Sequence, residues 1–107
     1  MNHSRLLALS LAVLLVAGCE SKPEPNATDG ETLFNYYCAG CHKESGKGSF
    51  LEGIPANRAT TMSESEVTRL IMHGKSNMQD MPSFSHLSEQ QARNIAQHLL
   101  RRLAKQQ

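Results

Sequence analysis

The chain has 107 residues, 11 Lys and Arg against 10 Asp and Glu for a net charge of +1, and only two Tyr and three Phe with no Trp. It carries no polybasic run of the kind that neutralises a phosphate backbone, which argues against nucleic-acid binding. Paired carboxylates, a Ser-His-Asp arrangement and a Gly-rich phosphate loop are also missing from the sequence, and this leaves little from which to build acid-base or acyl-transfer chemistry.

Met1 to Arg5 is a short, positively charged start, and Leu6 to Ala17 is an apolar run. A run of about a dozen residues is too short to hold a bilayer as an anchor, so residues 1–18 are expected to be an export signal that is removed. The run ends in Val16-Ala17-Gly18-Cys19, which resembles the lipobox of bacterial lipoproteins, with Val16 where leucine is common. The resemblance implies a lipidated Cys19 as the first mature residue, held durably because it bears more than one acyl chain. Ordinary signal cleavage beside an incidental cysteine is the alternative. Loss of Arg5 leaves 10 basic and 10 acidic residues. Residues 19–28, polar and with Pro23 and Pro25, read as a flexible tether reaching roughly 25–30 Å.

A first helix is expected to start at Thr28, with Glu31 completing a capping box. Leu33, Phe34 and Tyr37 follow at helical spacing and lead into Cys38-Ala39-Gly40-Cys41-His42. Two thiols three positions apart can each add to a vinyl group of a haem, and the adjoining His is then set beneath the iron as its axial ligand. A bare C-x-x-C also suits zinc or a redox dithiol. Zinc asks for two further ligands at short spacing, whereas His73, His86 and His98 are scattered. A thioredoxin-like dithiol asks for a preceding strand, whereas the residues before Cys38 read as helix. The cysteine count agrees with haem, because Cys19 on lipid and Cys38 with Cys41 on haem leave no thiol over in an oxidising compartment.

Lys43 to Thr61 contains Gly46, Gly48, Gly53 and Pro55 without a sustained period, and reads as a loop that wraps the haem on the histidine side. Phe50, Leu51 and Ile54 are its candidates for a pocket wall. Ser63 with Glu66 caps a second helix, whose apolar stripe is Val67, Leu70 and Ile71 and whose end is Gly74. A loop bearing Met78, Met81 and Pro82 follows. Ser88 with Gln91 caps the last helix, with Ala92, Ile95, Ala96, Leu99, Leu100 and Leu103 on one side. Arg101, Arg102 and Lys105 suit the negative end of its dipole. Met62 and Met72 read as packing, and His73, His86 and His98 as solvated. The result is three helices and no strand. So small a domain has little core of its own, and a covalently held macrocycle would supply its centre.

Taken together, Gly30 with Phe34, the Cys38 to His42 motif, Gly74, Met81-Pro82, and Leu87-Ser88 opening a helix that ends in Leu99 and Leu100 resemble the class I cytochromes c of the small bacterial monohaem kind. The likeness covers about Asp29 to Leu103. It implies an all-α, three-helix fold over residues 29–107, wrapped around one covalently attached haem c held by Cys38 and Cys41. It also implies iron ligated by His42 and Met81. Chemistry alone leaves Met78 and Met81 open; the proline after Met81 and the family pattern favour Met81. Imidazole opposite a thioether raises the reduction potential and suits an electron carrier.

Two family contacts are altered in this chain. Gly30 and Phe34 would sit where the first helix crosses the last, with Leu99 as partner, but His98 stands where an aromatic is common. The proline whose carbonyl orients the ligating histidine is expected soon after the Gly-rich turn, whereas Pro55 comes later, so the carbonyl serving His42 is left unnamed. The function implied is a membrane-tethered, monomeric carrier of single electrons between redox protein partners on the periplasmic side, with no catalytic residue of its own. Glu20 after the lipidated Cys favours the outer membrane. Lys43, Lys47 and Lys75 are candidates to steer an acidic partner. The alternatives are an open-site haem peroxidase or gas sensor, a subunit of a larger oxidase or reductase, and a haem-free lipoprotein with a Cys38 to Cys41 disulfide.

Overall fold

Polar caps decide where the helices begin. In the computed structural model, which describes residues 25–78 and 80–106, α1 (Gly30–Tyr37) starts at Asp29, whose carboxylate accepts from the Thr32 amide at 3.0 Å. That bond and the neighbouring amides hold the Asp29 carboxyl below its ordinary value. The start expected at Thr28 is therefore one residue early. The Thr28 carbonyl is engaged elsewhere, by Asn94 Nδ2 at 2.5 Å, and the Ala27 carbonyl accepts from Gln91 Nε2 at 3.1 Å. Both bonds seat the entry to α1 on the last helix. The leader, Cys19 and the first part of the segment read as a tether lie outside the described residues.

The chain leaves α1 at Cys38 and makes a separate short helix, α2 (Ala39–His42). The helix α3 (Glu64–His73) begins in the expected capping box of Ser63 and Glu66 and closes at Gly74 with φ 69°. The helix α4 (Glu89–His98) begins in the expected box of Ser88 and Gln91, then runs on through a π-helical turn, Leu99–Leu103, and a 3-10 turn, Ala104–Gln106. The fold is all-α, with a fourth helix because the cysteine motif winds a turn of its own. Among the described residues there is no strand, only one isolated bridge between Ser49 and Ile54.

The helix α4 is the centre of the packing, with α1 on one side and α3 on the other. Leu33 and Phe34 from α1, Val67 and Ile71 from α3, and Ala92, Ile95, Ala96, Leu99 and Leu103 from the last helix are buried together. At the crossing of α1 and α4, a Cβ on Gly30 would fall on the carbonyl of Asn94. Only the hydrogen side chain permits that backbone-to-backbone approach. Beside it the His98 ring lies 5.3 Å from the Phe34 ring, tilted by 51°. Burial keeps His98 below its ordinary value, opposed by Glu31 and Asp29, which favours the neutral ring. A neutral imidazole can occupy the place of the aromatic usual in the family at this crossing. Glu64 ties the far side together, accepting from Gln97 Nε2 at 3.1 Å and pairing with Arg101 at 3.6 Å.

Replacing Gly30 by Ala forces α1 away from α4. Overpacking of this kind costs about 1–3 kcal/mol, against a gain of at most about 1 kcal/mol from the better helix former. Thermal unfolding followed by circular dichroism is expected to show a lower midpoint for Gly30→Ala.

Candidate functional site

A cleft of about 230 Å³ lies between α1, α3, α4 and the two long loops. Its walls carry Phe34, Cys38, His42, Met78 and Met81 together with Val67, Leu70, Ile71, Ile95 and Leu99. The sequence-derived candidates Cys38, His42 and Met81 are thus brought into one cavity. Cys41 is exposed and lies outside the cleft wall.

Local helix geometry sets the first two. The His42 amide donates to the Cys38 carbonyl at 2.9 Å, and this four-residue step puts both side chains on one face. Cys38 and Cys41 are not joined in a disulfide. Burial, reinforced by Cys41, pushes the Cys38 thiol up to about 12, so at neutral pH it is an uncharged, apolar part of the wall.

The carbonyl that serves His42 is that of Pro55, 3.2 Å from Nδ1. A carbonyl only accepts, so Nδ1 carries the proton and Nε2 keeps a free lone pair. Pro55 returns to this place because the intervening residues fold into a small hairpin. Ser49 and Ile54 exchange both backbone bonds at 2.9 Å, and the Gly48 amide donates to the His42 carbonyl at 2.8 Å. Gly48 has φ 67°, and a Cβ there would overlap the carbonyl oxygens of Ile54 and Pro55. The turn that begins this loop is made by Lys43, a non-glycine residue at φ 66°, ψ 155°. Such a conformation costs a side-chain-bearing residue of order 1–3 kcal/mol.

The hairpin overturns part of the expected wall. Phe50 is 96% and Leu51 95% exposed. Their turn is closed by bonds from Glu52 to Ser49 and from Gly53 to Phe50, both 3.2 Å, so the tip projects with nothing behind it. Ile54 is half-buried but does not line the cleft either. The wall on the histidine side is built instead by Pro55, Ala56, Asn57, Ala59 and Thr60 around a 3-10 turn, Asn57–Ala59. Small apolar residues next to a proline were the only signal for it.

Met78 and Met81 both line the cleft, as does Met62. The Met78 amide donates to Lys75 at 2.9 Å and the Met81 amide to Met78 at 3.2 Å. The far end of this loop is fixed by the Phe84 amide on the Ile71 carbonyl at 2.7 Å, and by Tyr37, whose ring meets Phe84 at 5.6 Å and His86 at 5.4 Å. His73, His86 and His98 do not line the cleft.

An imidazole, the three thioethers of Met62, Met78 and Met81, a neutral thiol and mostly apolar walls suit a planar apolar macrocycle holding iron, and so fit haem. One buried side-chain oxygen without a partner, Asn57 Oδ1, belongs to a residue of the same wall. Among the described residues no three His, Cys, Asp or Glu side chains gather as a metal cluster, and no helix is long and apolar enough to cross a membrane.

The family model described as cytochrome c oxidase, cbb3-type, subunit III matches residues 25–99. No curated protein and no solved structure matches the chain.

Glycine at position 43 would relieve the strained φ while adding about 0.5–1 kcal/mol of chain entropy to be lost on folding. Lys43→Gly is expected to gain about 1 kcal/mol, raising the midpoint of thermal unfolding by about 4–8 °C; an unchanged or lower midpoint would show that Lys43 is not strained.

Proposed function

The chain belongs to the family described as cytochrome c oxidase, cbb3-type, subunit III, and from that membership we propose that it is a lipid-tethered carrier of single electrons on the periplasmic side of a membrane. It is a c-type cytochrome, a haem protein of electron transfer. The finer assignments are one haem c bound through thioethers to Cys38 and Cys41, with His42 and Met81 as the axial ligands. When bound, haem supplies one-electron chemistry by cycling its iron between ferric and ferrous states.

The observation that carries this reading is the meeting of His42 and Met81 in one apolar cleft with Cys38. His42 is oriented by its bond to Pro55, which fixes the tautomer and raises ligand basicity. Leu70, Ile71, Ile95 and Leu99 keep water from the far wall. A thioether donor in the cleft favours ferrous iron, and three methionines there speak against the open-site peroxidase or sensor. Lys43, Lys47 and Lys75 are exposed and would steer an acidic redox partner at low salt. The carrier works as a monomer, held by lipid on Cys19 with residues 19–28 as tether, at the outer membrane more than the inner. A second reading is favoured by the family description itself: the domain serves as a tethered subunit of a larger oxidase.

The test is maturation in a haem-attaching host, followed by denaturing extraction and spectra. The wild type is expected to keep its haem through extraction, to be low-spin in both oxidation states and to refuse carbon monoxide at neutral pH. The Cys38→Ala/Cys41→Ala variant is expected to lose haem and, with it, cooperative unfolding. Extractable haem in the wild type would sink the thioether assignment, and ready binding of carbon monoxide would restore the open-site reading. For the tether, Cys19→Ser is expected to move the protein from the detergent-requiring membrane fraction to the soluble periplasmic extract; equal membrane retention of both forms would remove the lipid from the proposal.

A further inference from the structure

Met78 lines the cleft as Met81 does. We propose that Met78 is a second thioether ligand for the same iron position, held in reserve behind Met81. The inference rests on the His42/Met81 reading above and deepens it.

The backbone accounts for the pairing. Two turns follow each other, closed by the Met78 amide on Lys75 and the Met81 amide on Met78. Both side chains end up on the cleft wall. Both side chains are half-buried; Met62 also lines the cleft but packs against the core cluster, which neither Met78 nor Met81 does. The loop is tied down on both sides of the pair, by the Gly74 cap of α3 and by Phe84 on Ile71, so the loss of one sulfur leaves the other still presented.

The two are not equivalent. Met81 precedes Pro82, whose ring confines Met81 to extended backbone and thereby pre-organises it. Met78 has no such constraint and pays more conformational entropy to hold one position. Met81 accordingly dominates in the intact protein, and Met78 takes the position when Met81 is removed. The use of such a reserve is to keep the site closed to small exogenous ligands.

The experiment compares wild type, Met78→Leu, Met81→Leu and the double variant, each matured with haem in the full chain. Leucine preserves side-chain volume and so the packing, and circular dichroism verifies the helices in each. With the methionine methyls labelled, the ferrous proteins are examined by NMR for a ring-current-shifted methyl signal, and by titration with carbon monoxide. Met81→Leu is expected to keep one strongly shifted methyl at a new position and to bind carbon monoxide at least tenfold more weakly than the double variant. Met78→Leu is expected to keep the shifted methyl signal of the wild type at its wild-type position. If Met81→Leu loses the shifted signal and binds carbon monoxide as the double variant does, the reserve role is overturned while the His42/Met81 reading stands. If Met78→Leu is the variant that loses the wild-type signal, Met78 is the principal ligand and both statements fall. A wild type with no shifted methyl overturns methionine ligation altogether.

Discussion

The approach of Gly30 to the carbonyl of Asn94 is the constraint on which the rest of the fold depends. It sets α1 directly on α4, and the direction of α1 then decides where Cys38 and His42 emerge. Because α4 also contributes Ile95 and Leu99 to the cleft, one crossing fixes both a donor-bearing wall and the apolar wall beside it. The residues around the crossing hold it from several directions: Asn94 and Gln91 grip the carbonyls of Thr28 and Ala27, and His98 lies against Phe34. A side chain at position 30 would open all of these contacts together.

From that crossing the chain must reverse sharply so that His42 is held from behind, and the reversal is where strain is concentrated. Lys43 takes a glycine-like conformation, and the bonds to His42 from both ends of the following loop offset its cost: Gly48 on the His42 carbonyl and Pro55 on the ring. The backbone and the side chain of one residue are thus fixed by the same hairpin. Positioning His42 by main-chain atoms also frees the side chains of the hairpin from the cleft, which is why Phe50 and Leu51 can face solvent.

The parts of the fold that were readable in the sequence are those governed by short-range chemistry. Ser63 with Glu66 and Ser88 with Gln91 are reciprocal caps, and the stripes after them carry the 3.6-residue period that buries Val67 and Ile71, then Ala92, Ile95 and Leu99. The nearness of Cys38 to His42 follows from a single helical turn. What was hidden depended on closure over longer distances. No local rule says that Ser49 bridges Ile54, so neither the role of Pro55 nor the exposure of Phe50 and Leu51 could be read from composition. Asp29 displaced Thr28 as a cap because Thr28 is drawn to Asn94, 66 residues away. The pairing of Met78 with Met81 was present as a spacing of three, but only the closure of the loop over the cleft shows that both line it.

The last helix ends on a widened turn, in which the Ala104 amide reaches back to the Leu99 carbonyl across Leu99–Leu103. An α-helix repeats every 3.6 residues or so, and the four-residue steps from Ile95 to Leu99 to Leu103 would each overshoot by about 40°. The wider turn gives back part of that overshoot, and all three side chains remain buried while Arg101 and Arg102 stay outside. It works as a phase correction between the spacing of the leucines and the pitch of the helix.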